Sequence, residues 1–271
     1  MKTNHIIKIG LLASLTASTG CGDSFLDVTS HTQDFVETYY TDSLHISQSL
    51  IAAYSPLQWN DWNGNQYNPQ NAMSDIMGDD MLVGGQSVTD NQFWHLMANY
   101  EAQPNNCMTG MWSNMYCGVK RSNDLLKYAN EHQQNLPAAS YKLWTAEART
   151  LRAYYYNMLW KFWGNIPFYF ENLSAPFRAP QLSADEVYNK VIADLEDVIS
   201  MKVLPTRWDD ANLGRVTQPT AYMLYAEMVM YQKDQSRYPK ALEYMQEIIN
   251  SGKFNLNPNY ADLFTAAGEW G

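Results

Sequence analysis

The sequence predicts an all-α chain of antiparallel helical hairpins. Three observations lead there. Behind Ser183-Ala-Asp-Glu186, where hydroxyl and carboxylate can satisfy each other's free backbone N–H groups, Tyr188, Val191, Ile192, Leu195, Val198 and Ile199 form one apolar stripe. Further on, Ala221, Leu224, Tyr225 and Met228 line one helix, and Ala241, Leu242, Met245, Ile248 and Ile249 line another. The link between these two, Asp234–Arg237, is so short that they must run antiparallel. Third, Thr217 to Asn250 is 34 residues, the tetratricopeptide period, and Tyr238 and Ala241 suit its small-against-aromatic packing. Such hairpins bury their faces only by stacking, so the expected architecture is an α-superhelical scaffold with long irregular loops. A plain helical bundle would satisfy the same stripes.

In chain order, Lys2 and Lys8 precede a short apolar run, Ile9–Ala17, followed by Ser18, Thr19, Gly20 and Cys21. Residues 1–20 therefore read as a secretory signal, too short in its apolar part to span a bilayer. A small-residue run ending at a cysteine resembles a bacterial lipobox, in which Cys21 is acylated and becomes the first mature residue. Lipid chains would then hold the protein at a membrane without a spanning helix. A polar lead-in to Thr32 precedes a helical pattern from about Asp34 to Trp59. Residues 59–95 keep no sustained period and are rich in Asn, Asp, Gly, Gln and Met. Helix returns over about 105–133, and again from Pro137 to Gly164 with Leu151, Tyr154, Met158 and Phe162 on one face. Ile166–Phe170 reads as extended.

Composition narrows the function. The 271 residues carry 18 Lys+Arg against 28 Asp+Glu, a net charge of −10 that becomes −12 if residues 1–20 are removed. An acidic surface argues against nucleic acid, whose phosphates call for a basic face. Nineteen Tyr, nine Trp and nine Phe exceed what a core alone accommodates, and their polar tips suit binding surfaces. Cys107 and Cys117 would lie about 15 Å apart on one helix, so they could pair only with Cys107 outside it; two buried thiols is the alternative.

Cys21 with Phe25-Leu26-Asp27; Trp112-Ser-Asn-Met-Tyr116 with Arg121-Ser-Asn123; Glu147-Ala-Arg149 through Arg152-Ala-Tyr154-Tyr155-Tyr156 to Phe162-Trp163-Gly164 and Pro167; Gly214-Arg215; Ser251-Gly252 and Leu263-Phe264 stand in a particular order and spacing. In that order they resemble the SusD/RagB family of outer-membrane lipoproteins. Trp163 stands where Tyr is usual, and Thr217-Gln-Pro219 replaces a more Ala/Gly-rich run. The resemblance covers residues 21–264, so residues 21–271 are expected to correspond to the N-terminal, tetratricopeptide-containing part of longer proteins. It implies a cell-surface protein that captures oligosaccharides and hands them to a SusC-like TonB-dependent transporter, with the helices facing the transporter and the loops carrying ligand. A tetratricopeptide module with only a protein partner, and a glycoside hydrolase, are the competing readings.

The loop Trp59-Asn60-Asp61-Trp62-Asn63-Gly64-Asn65 is the best local clue to a sugar ligand. A sugar offers a C–H patch to an indole face and hydroxyls to Asp and Asn. Residues 75–95, where the family's ligand-binding insertions fall, add Asp79, Asp80, Asn91 and Trp94. The expected site is thus Trp59, Trp62, Asn63, Asp79, Asp80, Asn91 and Trp94; alternatively each Trp wedges its loop against the helices. Asp61, Asn63 and Asn65 match the first ligands of a calcium loop, but Gln66 and Ala72 break the EF-hand pattern, so no cofactor is expected and a looser calcium site stays open. None of the five His falls in a metalloprotease pattern, and no nucleophile elbow, P-loop or dinucleotide fingerprint occurs. Asp79-Asp80 and Asp209-Asp210 are adjacent rather than opposed as a glycosidase pair must be, and Glu147, Arg149 and Arg152 suit structural ion pairing. The pattern points to binding, not turnover.

Overall fold

The computed structural model describes residues 36–59, 70–78, 80–103, 105–106 and 109–265. The chain divides into two compact units, Met1–Tyr39 and Tyr40–Gly271. In the first, the helical turn Val36–Tyr39 is described. Cys21 lies outside the described residues.

The second unit comprises α1 (Ser43–Tyr54), α2 (Gln70–Met77), α3 (Gln92–Ala98), α4 (Thr109–Glu131), α5 (Ala138–Trp163), α6 (Ala184–Met201), α7 (Gln218–Gln232) and α8 (Tyr238–Asn250). A two-residue ribbon, β1 (Ile166–Pro167) and β2 (Gln181–Leu182), pairs antiparallel with Ile166 opposite Leu182. From α4 onward each helix packs on the next, α4 on α5, α5 on α6, α6 on α7 and α7 on α8. This is the stacked-hairpin plan that the 34-residue period predicts.

Local chemistry sets the boundaries. Ser183 accepts from Glu186 N while the Glu186 carboxylate accepts from Ser183 N, the reciprocal cap expected from the sequence. Thr217 and Thr220 form an equivalent pair ahead of α7. Gly164, with φ of 68°, ends α5 in a conformation that disfavours a side chain. The α7–α8 link is organised by Asp234, which accepts from Ser236 Oγ (2.6 Å), Arg237 Nη1 (2.7 Å) and the Tyr188 hydroxyl (2.9 Å), tying the hairpin to α6.

The core follows the stripes. Val187, Tyr188, Val191, Ile192, Leu195, Val198 and Ile199 of α6 are all buried. On α5, Leu151 and Met158 are buried as expected, but so are Tyr155, Tyr156, Leu159 and Trp160, because this helix has neighbours on several sides. Gly118 of α4 lets the helices meet there; a Cβ would overlap the Tyr155 ring. A second cluster, with Ile46, Leu50, Leu125 and Leu136, seats α1 on the α4–α5 hairpin. Arg149 and Arg152 share the Asp194 carboxylate (2.6 and 2.8 Å), so they join α5 to α6 as structural ion pairs. Cys117 is a half-buried free thiol, and Cys107 lies outside the described residues. Among the described residues no helix is long and apolar enough to cross a membrane.

Two expectations change. The stretch 59–95, which the sequence gives as irregular, contains α2 and contributes the first turn of α3. On α8, Leu242 and Ile249 are exposed rather than packed, since α7 covers only the face bearing Ala241 and Tyr244.

Candidate functional site

Helix α1 presents the first of the expected site residues. Asp42 caps it, accepting from His45 N (3.0 Å). At its other end three groups fix the last turn. Arg121 Nη1 donates to Ala52 O (3.1 Å), and the Tyr155 hydroxyl donates to Ala53 O (2.7 Å), satisfying carbonyls that a helix end leaves free. The Tyr54 hydroxyl donates to Glu147 Oε2 (2.6 Å) and accepts from Val216 N (2.9 Å). Glu147 has no exposed surface and is also paired with Arg215. Burial, reinforced by the adjacent Glu147 charge, pushes the Tyr54 hydroxyl well above its ordinary range, so it stays a donor.

Beyond this anchor the 3₁₀ turn Ser55–Gln58 leads to Trp59. The residue is 38% exposed, and the Arg121 guanidinium lies 4.8 Å from the ring centroid. One arginine therefore bonds the helix end and backs the indole, a cation–π contact that leaves Trp59 both supported and accessible. Trp62 and Asn63 lie outside the described residues, as do the calcium-loop positions Asp61 and Asn65.

Helices α2 and α3 carry the second group. They pack on each other, with Met73, Ile76 and Met97 buried, and the Tyr100 hydroxyl donates to Met77 O. The segment between them is exposed at Met81, Leu82 and Val88. Its tip turns at Gly85, where φ is 128° and a Cβ would stand 2.8 Å from Asp90 Oδ2. Asp80 is exposed at the start of this segment; Asp79 lies outside the described residues. Asn91 adopts a left-handed conformation and is exposed, with no capping bond from its side chain to α3. Trp94 is half-buried on the first turn of α3. The structure thus places Asp80, Asn91 and Trp94 on the α2–α3 unit and Trp59 at the end of α1. Arg121, 62 residues beyond Trp59, is the supporting residue that local sequence gave no sign of. Among the described residues no three His, Cys, Asp or Glu side chains gather to hold a metal ion.

Stacked helical hairpins carrying aromatic, amide-rich segments make up the second unit of the chain. Residues 24–230 match the SusD-like family model described as starch-binding associating with outer membrane, and the chain belongs to this family. Among solved structures it is similar to surface glycan-binding protein A from Bacteroides uniformis, with 52% identity and a TM-score of 0.80 over 84% of this chain and 50% of that one. Surface glycan-binding protein A from Bacteroides thetaiotaomicron in complex with laminarihexaose is 50% identical, with a TM-score of 0.79 over 85% of this chain and 48% of that one. The Bacteroides fluxus protein of the same name is 35% identical, with a TM-score of 0.78 over 84% and 48%. The chain spans about half the length of these relatives. No curated protein matches it.

Proposed function

We propose that the chain is the glycan-capturing part of a surface lipoprotein whose ligand is a laminari-type oligosaccharide. The observation that carries this is the supported, accessible Trp59 in a chain 50% identical to a protein holding laminarihexaose. The Trp59 ring covers the C–H face of a sugar unit. Trp62 and Trp94 extend the apolar contact, while Asn63, Asp79, Asp80 and Asn91 bond the hydroxyls. These carboxylates act as acceptors and not as an acid–base pair, so the reading is binding without turnover.

In the same reading residues 1–20 are removed, Cys21 is acylated, and the lipid holds residues 21–271 at the outer cell surface. The captured sugar passes to a SusC-like TonB-dependent transporter. The outward faces of α7 and α8, with Met223, Met230, Tyr231, Leu242 and Ile249 exposed, suit the protein contact such a handover requires. That face is also what favours the second reading, a module whose only ligand is a protein.

Titration of laminarihexaose into the chain lacking residues 1–21, followed by Trp fluorescence, tests the proposal. Saturable quenching is expected, weakened roughly tenfold by Trp59→Ala and by smaller factors in Trp62→Ala and Trp94→Ala. A folded chain that binds no oligosaccharide, yet retains a transporter partner in pull-down, would favour the second reading.

A further inference from the structure

We propose that a groove between α4, α5 and residues 170–174 is a second ligand site, for an uncharged polyhydroxylated ring such as a pyranose. Arg121 and Asn123 are two residues apart, about 200° round α4, so this groove opens on the side of the helix away from Trp59. It stands independently of any sugar at the loops.

The groove encloses about 720 Å³, ample for one or two sugar units. Asn123 and Arg152 line it and are 3% and 5% exposed. Yet Asn123 Nδ2 and Arg152 Nε have no hydrogen-bond partner, and neither has Oδ1 of Asn172, a third lining residue. Their other bonds fix which atoms are left over. Arg152 Nη1 donates to Asn123 Oδ1 (2.9 Å) and Phe170 O (3.0 Å), and its Nη2 to Asp194 Oδ2 (2.8 Å). Asn172 Nδ2 donates to Asp124 Oδ1 (2.5 Å). Two donors and one acceptor therefore remain unspent beneath the groove surface, each a cost to a structure that leaves it so.

A hydroxyl both donates and accepts, so a ring bearing several can answer all three groups where small side-chain shifts bring them to the groove surface. Phe170, half-buried with the Arg152 guanidinium 4.1 Å from its centroid, supplies apolar surface beside them. Charge argues against an anion: Asp194 offsets Arg152, and Lys127 at the rim faces two carboxylates, Glu131 and Glu171, while the two unspent donors argue against a cation.

The test is nuclear magnetic resonance of the isotope-labelled chain, reading the side-chain amides of Asn123 and Asn172 and the Arg152 Nε–H. Glucose, maltotriose, sulfate and methylammonium serve as probes. Saturable shifts of these signals by a sugar and not by the ions are expected, unchanged in Trp59→Ala and weakened at least about fivefold in Asn172→Ala. Because Asn172→Ala also frees Asp124, the measurement on the unaltered chain decides. Absence of saturable shifts with either sugar, or shifts with an ion alone, would overturn the proposal.

Discussion

In the α4–α8 hairpins a fully buried carboxylate, Glu147, is held between Arg215 and Tyr54, residues drawn from three separate parts of the chain. Between α2 and α3 the Asp90 carboxylate is exposed and accepts from Gln86 N (3.3 Å), within its own turn. The first arrangement fails only if the scaffold opens; the second can rearrange without disturbing anything distant. Loops held by local bonds can adjust their shape without cost to the scaffold that carries them.

The comparison can be broken most forcefully at Glu147. Glu147→Ala strands the Arg215 charge and the Tyr54 hydroxyl, and should lower unfolding free energy by about 3–5 kcal/mol in urea titrations. Gly118→Ala drives a methyl group into the Tyr155 ring, with an expected loss of about 1–3 kcal/mol. Acid tests the hairpin link. The Ser236 hydroxyl and then Arg237 hold the Asp234 carboxyl below the usual carboxylate range. Its contribution is therefore present above the unfolded value near pH 4 and lost as pH falls toward the lower folded value. Asp234→Asn should flatten the acid limb of a melting-temperature profile and leave the neutral-to-alkaline limb parallel to wild type. The smallest effect belongs to the loop. Asn91→Gly relieves a left-handed residue and should change global stability by less than about 1 kcal/mol. Hydrogen exchange should show any change confined to α2–α3; a shift in global melting comparable with Gly118→Ala would erase the distinction between the regions.

The same contrast governs what could be read from the sequence. The α6 and α8 stripes are legible because each helix turns one face to the core and one to water, and α7, apolar on its outward face as well, is legible through its short link to α8. Helix α5 was legible only in part: with Tyr155, Tyr156 and Trp160 buried beside Leu151 and Met158, its pattern runs nearly all the way round. Helices α2 and α3, of eight and seven residues, complete barely two turns, too few for a period to emerge. Leu242 and Ile249 look like core residues in sequence, since a stripe cannot say whether a neighbour covers it. Trp59 stands out in the sequence by its company of Asn, Asp and Trp, but its backing by Arg121 is a tertiary fact.

The bond from Val216 N to the Tyr54 hydroxyl spans 162 residues. Until Arg215 and Val216 emerge during synthesis, Glu147 lacks its cation and the Tyr54 hydroxyl lacks its backbone donor. The α4–α5 and α7–α8 pairs close through short connections and can assemble early, and α1 can seat on the α4–α5 pair, whereas the bonds of Tyr54 and Glu147 to residues 215–216 must wait for a loop of this length to shut. Assembly order is thereby written into the buried carboxylate: Trp59 can gain its Arg121 support once α4 is in place, whereas the lock of Tyr54, Glu147 and Arg215 closes last.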